Sequence, residues 1–469
     1  MKIQSKQPGW AGYISCAAMT LALVGCGGGG GNGAGGGTPA GSGLLGGAVK
    51  GITAAGLVLA SGSDRLSVTA DGGFTFPSKL NQGASYNVTV QTQPMNQICG
   101  VTNGAGTFGS TDISSVQVLC TPVFTSLIVF GDDFSDVGSY AVGAIGAQGG
   151  GKFTINGNNT AINPTLTGKT WTEVIADQLG LAAPCAAQTG LNGSAAKGFS
   201  VPVVNHSGCY NYAQGGARVT NPVGPGNALN GSSVGLLTVP LGTQVTLYLA
   251  NSGQFKGRDL VLVMAGSDDV INQLGLIAAA ATYLGTPLGT TAGDAYLAAQ
   301  LQNLTAAMSQ AATELVAQVR SQMVGKGAGY VVVANIPDLA SSPMGAALAP
   351  SAKAALNSMV VAFNQTLSAS GLSNDPYVLL VDTFAGSHDM IVNPAAYGIT
   401  NAVTPACDLS SARNIAGNSL ACNGSNLIAG DVSHYAFADT VHLTPYGHLL
   451  QARLVNAAMM GRAWMQPMH

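Results

Sequence analysis

Charge is what this chain has least of. Among its 469 residues Lys and Arg number 17, Asp and Glu 20, and the charged share is 8%, where an ordinary soluble domain carries roughly a quarter. The formal net charge is −3, and no Lys/Arg-rich stripe is present to neutralise a phosphate backbone, which argues against nucleic acid as a partner. Cysteine spacing of the C-x-x-C kind is missing, and the histidines do not stand at finger-like distances from the cysteines, so zinc is disfavoured. The N-terminal apolar run, Ile14 to Val24, is too short and too weakly flanked to span a bilayer permanently. No internal repeat is visible. Apolar material is plentiful: 46% of residues are hydrophobic, enough for a sizeable core, over a length that predicts two or three domains. The surface must then be built largely from Gly, Ala, Ser, Thr and Asn.

Lys2 and Lys6 ahead of that apolar run read as an export signal over residues 1–25. Leu23-Val24-Gly25-Cys26 resembles the lipobox of bacterial lipoproteins, which implies that Cys26 is lipidated and becomes the first mature residue; a plain secretory signal is the other reading. The Gly-rich stretch that follows reads as a flexible tether over 26–44, with nothing to bury. An outer-membrane lipoprotein, a cell-surface protein or a secreted protein is expected, and the membrane partner would be reached through the lipid anchor. Setting aside Cys16 and Cys26 leaves six cysteines, an even number suited to an oxidising compartment. They fall by sequence into Cys99/Cys120, Cys185/Cys209 and Cys407/Cys422, the expected disulfides.

From about 45 to 122 short alternating runs such as Leu66-Ser-Val-Thr-Ala are broken by turn signals such as Asp71-Gly-Gly, which predicts a small all-β module. It resembles the Ig-like β-sandwich modules that bacterial surface proteins carry, and no site residue is found in it. From 123 to 469 the pattern changes. Near-continuous apolar strands at Leu127–Phe130, Leu260–Met264, Tyr330–Ala334 and Val378–Val381 alternate with helical stretches at Thr172–Leu179, Ala295–Met323, Ala352–Leu367 and Pro445–Met460. Such alternation predicts an α/β domain of three layers, with ligands at the carboxyl ends of parallel strands. The segments Ala141–Gly168 and Ile271–Gly293 read as long loops, either disordered or shaping a pocket.

The strand ends carry the chemistry. Phe130-Gly-Asp-Asp133-Phe-Ser-Asp136-Val-Gly138 resembles the first block of the GDSL, or SGNH, hydrolases, F-G-D-S-L-S-D-x-G. Asn211-Tyr-Ala-Gln-Gly-Gly216 is similar to the second block, Gly266-Ser-Asp268-Asp269 to the third, G-x-N-D, and Asp439-Thr-Val-His442 to the last, D-x-x-H. The order of blocks resembles that of the bacterial secreted and outer-membrane esterases and lipases of this family. The resemblance implies acyl transfer on ester or lipid-like substrates without a cofactor. A Ser attacks the carbonyl, His442 takes its proton, Asp439 orients His442, and Gly216, an Asn amide and the Ser N–H hold the oxyanion. His206, His434 and His448 lack such context and read as structural or exposed.

Two positions depart from the pattern: Asp133 stands where the family has its nucleophilic Ser, and Asp268 where it has the oxyanion Asn. A carboxylate is a better leaving group than an alkoxide, so an acyl intermediate on Asp133 would be an anhydride whose precursor tends to collapse backward. Asp268 presents an acceptor where a donor is needed. Ser135 is expected to cap the following helix rather than replace the nucleophile. Asp133 and Asp268 are expected to face one space near His442, with Asp132 and Asp269 beside them. Like charges there leave four readings open: a shared proton, a divalent cation such as Mg²⁺ or Ca²⁺, an aspartate nucleophile attacking saturated carbon, or a cleft that only binds acyl or glycan ligands.

Overall fold

A computed structural model of the chain describes residues 41–465. The export signal, Cys26 and most of the tether lie outside the described residues.

Eight strands make the N-terminal module: β1 (Ser42–Lys50), β2 (Leu57–Ser61), β3 (Asp64–Val68), β4 (Gly72–Asn81), β5 (Ser85–Thr92), β6 (Gln97–Thr102), β7 (Ala105–Thr107) and β8 (Ile113–Pro122). They form two four-stranded sheets, ordered β4-β1-β8-β6 and β3-β2-β5-β7. Leu45, Val49, Leu59, Phe76, Val88 and Val116 fill the core of the module. The expected tether end at residue 44 is corrected, because Ser42, Gly43 and Leu44 already pair with β4. Glycine content misleads here for a physical reason. β1 lies between β4 and β8 at close quarters, and a Cβ on Gly47 would stand 1.9 Å from the Val116 carbonyl oxygen. Glycine in this strand marks backbone approach, not slack. Cys99 and Cys120 are cross-strand partners of β6 and β8 and are bridged.

The second domain is built on β9 (Ser126–Gly131), a β10–β11 hairpin (Gln188–Asn192, Ser200–Asn205), β12 (Asp259–Met264), β13 (Tyr330–Ala334) and β14 (Val378–Val381). β9, β12, β13 and β14 form a parallel sheet in the order β14-β13-β12-β9. Asn211 adds a parallel bridge beside Val129, extending the β9 edge. Every β12 side chain is buried, as expected of a strand covered on both faces.

Its helices are α1 (Gly143–Ala147), α2 (Trp171–Gln178), α3 (Leu241–Ser252), α4 (Ser267–Tyr283), α5 (Thr291–Ala317), α6 (Pro343–Ala347), α7 (Pro350–Ala369), α8 (Thr383–Val392) and α9 (Pro445–Gly461). Two groups pack on the sheet, α2 with α8 and α9, and α4 with α5 and α7. One expected loop is corrected: most of Ile271–Gly293 is helix, since α4 runs through Tyr283 with Leu274 buried against the core. Ala141–Gly168 is largely irregular yet ordered by burial of Ile145, Phe153 and Ile155. Cys185–Cys209 and Cys407–Cys422 are the other two bridges among the described residues.

Candidate functional site

β9 ends at Gly131, and the chain enters a short helical turn, Asp133–Ser135. Asp132 caps this turn, its Oδ1 accepting from the Phe134 N–H at 3.3 Å. Asp136 holds it down: Oδ1 accepts from the Gly138 and Ser139 N–H groups at 2.8 Å each, and Oδ2 from the Gly215 N–H at 3.0 Å. Burial raises Asp136 to about 6 against these three donors. Through Gly215 the turn carrying Asp133 is tied to Gly216. The cap expected of Ser135 is not found; its hydroxyl accepts from the Trp171 indole at 3.2 Å, because the turn stops there and no longer helix follows.

The last block forms a tight loop before α9. Asp439 Oδ1 accepts from the N–H groups of Val441 and His442 at 2.9 and 2.8 Å. Its Oδ2 accepts from the Ser419 N–H at 2.7 Å and lies 2.7 Å from His442 Nδ1. Although burial opposes ionisation of Asp439, the His442 charge and these donors hold its carboxyl well below the usual range. His442 Nε2 lies 2.7 Å from Asp133 Oδ2. The imidazole therefore bridges two carboxylates. Burial works against its charge, but Asp439 and then Asp133 push it well above the ordinary histidine value. Phe153 and Phe134 pack on the ring, with centroids 4.8 and 5.7 Å away.

Asp268 sits in the first turn of α4, just past β12, and joins Asp132 and Asp133 in one buried cluster. Burial first, and then the neighbouring Asp133 carboxylate, raise both Asp132 and Asp268 well above the carboxylate range. Asp269 is elsewhere, a correction to its expected place beside them. It receives Arg218 Nε and the Val219 N–H, both at 2.9 Å, since successive residues on a helix point in different directions. Gly216 has φ +77, and a Cβ there would meet the Pro225 carbonyl oxygen at 2.2 Å, so only glycine fits.

The remaining histidines of the sequence reading lie apart from the pair. His206 meets the Thr189 hydroxyl at 2.8 Å, and His434 stacks on Tyr446 at 4.2 Å. His448 is fully buried in α9, and burial lowers it to about 3. Three contributors gave no local sequence signal: Phe153, the Ser419 N–H and the hydroxyl of Ser267. An apolar cavity adjoins the site between α8, α9 and the last block, lined by Phe134, Met390, Ile391, Phe437, Val441 and Leu443 among others.

A buried carboxylate gripping an imidazole at the carboxyl edge of a parallel sheet has the geometry of the acid–base half of a serine-hydrolase type of site. The chain belongs to the family described as GDSL-like Lipase/Acylhydrolase, whose model matches residues 127–455. Among solved structures it is similar to an extracellular lipase from Streptomyces rimosus, at 16% identity and a TM-score of 0.31, covering 71% of this chain and 99% of that one. No curated protein matches it. Among the described residues no helix is long and apolar enough to cross a membrane.

Proposed function

We propose that the second domain takes ester or lipid-like acyl substrates in the GDSL cleft and that its catalysis is impaired by Asp133. The observation that carries this reading is the 2.7 Å contact between His442 Nε2 and Asp133 Oδ2. In the family reaction the imidazole must accept the nucleophile's proton as the acyl bond forms. Here the nucleophile position offers a carboxylate, and an imidazole held protonated between Asp439 and Asp133 accepts nothing further. At the oxyanion position Asp268 brings a carboxyl group where the family brings an amide donor. The apolar cavity beside Phe134 and Val441 is small, about 40 Å³, and supports a short acyl group as the group bound.

Residues 1–26 support export and lipid anchoring at the outer membrane, with the Ig-like β module as a spacer between anchor and cleft. The same contact also favours a second reading, a surface protein that binds acyl or glycan groups without turning them over.

The test is hydrolysis of a short-chain nitrophenyl ester by the purified protein and by Asp133→Ser/Asp268→Asn. The expected result is background rate in the parent and at least a hundredfold gain in the double variant. A parent as active as the double variant overturns the proposal.

A further inference from the structure

The structure assigns a cation to the carboxylate cluster: we infer that Asp132, Asp133, Asp268 and the Ser267 hydroxyl form a site for one hard divalent cation, with Ca²⁺ the preferred ion. This goes beyond the esterase reading and does not depend on it. One carboxylate oxygen from each of Asp132, Asp133 and Asp268 lies within 4.8 Å of the others. Three oxygens no more than 4.8 Å apart share a point within about 2.8 Å of each, so a side-chain adjustment of a few tenths of an ångström brings all three to the roughly 2.4 Å of a Ca²⁺–oxygen contact.

The oxygens are free to bind. Asp132 Oδ2, Asp133 Oδ1 and Asp268 Oδ2 are buried and make no hydrogen bond, while Asp132 Oδ1 and Asp133 Oδ2 are already used by the Phe134 N–H and His442. An observation independent of the acids points the same way. Ser267 is 1% exposed, and its hydroxyl lies beside Asp132 without a hydrogen bond of good geometry. A buried hydroxyl is ordinarily satisfied, and here it supplies a fourth oxygen toward the same point.

Charge completes the argument. Arg218 is spent on Asp269 and Lys152 on Glu173, and the one positive charge next to the cluster, His442, is divided between Asp439 and Asp133. No protein cation among the described residues pairs with Asp132 or Asp268. Oxygen-only ligands of this kind suit Ca²⁺ or Mg²⁺ rather than a thiolate- or imidazole-seeking metal, and cleft water would complete the shell. In this arrangement the two departures from the family pattern, Asp133 and Asp268, supply two of the four ligands.

Calorimetric titration of the EDTA-treated, dialysed protein with CaCl₂, and separately MgCl₂, tests the site without any ester substrate. Its failure therefore leaves the proposed function standing, and the converse holds. The expected result is one site per chain with a Kd for Ca²⁺ below about 1 mM. Binding should weaken at least tenfold in Asp132→Asn and Asp268→Asn, and several-fold in Ser267→Ala, which changes no charge and guards against a misfolded aspartate variant. Absence of both saturable heat and a Ca²⁺-dependent rise in Tm at 10 mM overturns the inference. So does unchanged binding in the three variants. An Asp268→Asn protein more stable than the parent in EDTA, with neither responding to Ca²⁺, identifies protons as the occupants and equally overturns it.

Discussion

At Asp133 and Asp268 two single-residue differences from the family pattern carry the proposed change in chemistry. Restoring the hydroxyl alone, in Asp133→Ser, leaves a carboxyl group at Asp268 facing the developing oxyanion. Loss of one oxyanion donor costs about a hundred- to a thousandfold in kcat. Asp133→Ser should therefore hydrolyse a nitrophenyl ester slower than Asp133→Ser/Asp268→Asn by that factor; equal rates would show that Asp268 does not face the oxyanion. His448 offers a second residue-level test. Its folded value of about 3 lies below the ordinary histidine value of 6.5, so the unfolded chain binds a proton that the folded chain refuses. Stability from this group is complete above 6.5 and is lost as pH falls toward 3. Between pH 7.5 and pH 5 the parent should lose about 2 kcal/mol relative to His448→Leu, measured by urea unfolding at both pH values.

Secondary elements position these groups through their ends. The carboxyl ends of β9 and β12 deliver Asp133 and Asp268, and the N-terminal side of α9 delivers His442. The loop that meets Asp439 from the other side depends on a bridge. Ser419–Ala421 is a short turn ending at Cys422, and the Cys407–Cys422 disulfide, with a sequence separation of 15, pins it where the Ser419 N–H can donate to Asp439. Closing a loop of this length is worth about 3 kcal/mol against the unfolded chain. Cys407→Ser/Cys422→Ser should lower the unfolding free energy by about that amount. In the Asp133→Ser/Asp268→Asn background it should also reduce kcat more than it raises KM, because the loop supports the acid–base pair. A variant with lowered stability and unchanged kcat would detach the loop from the chemistry.

Across the whole molecule the two domains are stitched by Asn96, a buried residue of the β module. Its side-chain amide donates to the Phe124 and Leu179 carbonyls at 3.1 and 2.9 Å, and its oxygen accepts from the Phe124 N–H at 2.7 Å. Arg258 adds a bond to the Pro122 carbonyl at 2.8 Å. Asn96→Ala leaves three backbone groups unpaired at this junction, with an expected cost of about 3 kcal/mol. Among the described residues both tryptophans, Trp171 and Trp464, lie in the second domain. Their fluorescence should then follow a denaturant transition separate from the far-UV signal of the β module in Asn96→Ala, and coincident with it in the parent. Coincidence in both proteins would mean that the junction is not carried by Asn96.

Sequence by itself determined the order of elements and the contact between Asp439 and His442. The four parallel strands carry near-continuous apolar runs because the sheet lies between helices, and D-x-x-H is short enough for Asp439 and His442 to meet within one loop. The strand in the Gly-rich stretch at Ser42–Lys50 was hidden, since close backbone approach and a slack linker share the same composition. Only the tertiary structure decided that Asp269 turns to Arg218 while Asp268 joins Asp132 and Asp133, that Phe153 walls His442, and that Ser419 grips Asp439. Those contacts join residues far apart in the chain. Local periodicity reports which way a side chain faces, whereas the partner it meets is set by how the sheet and its loops close.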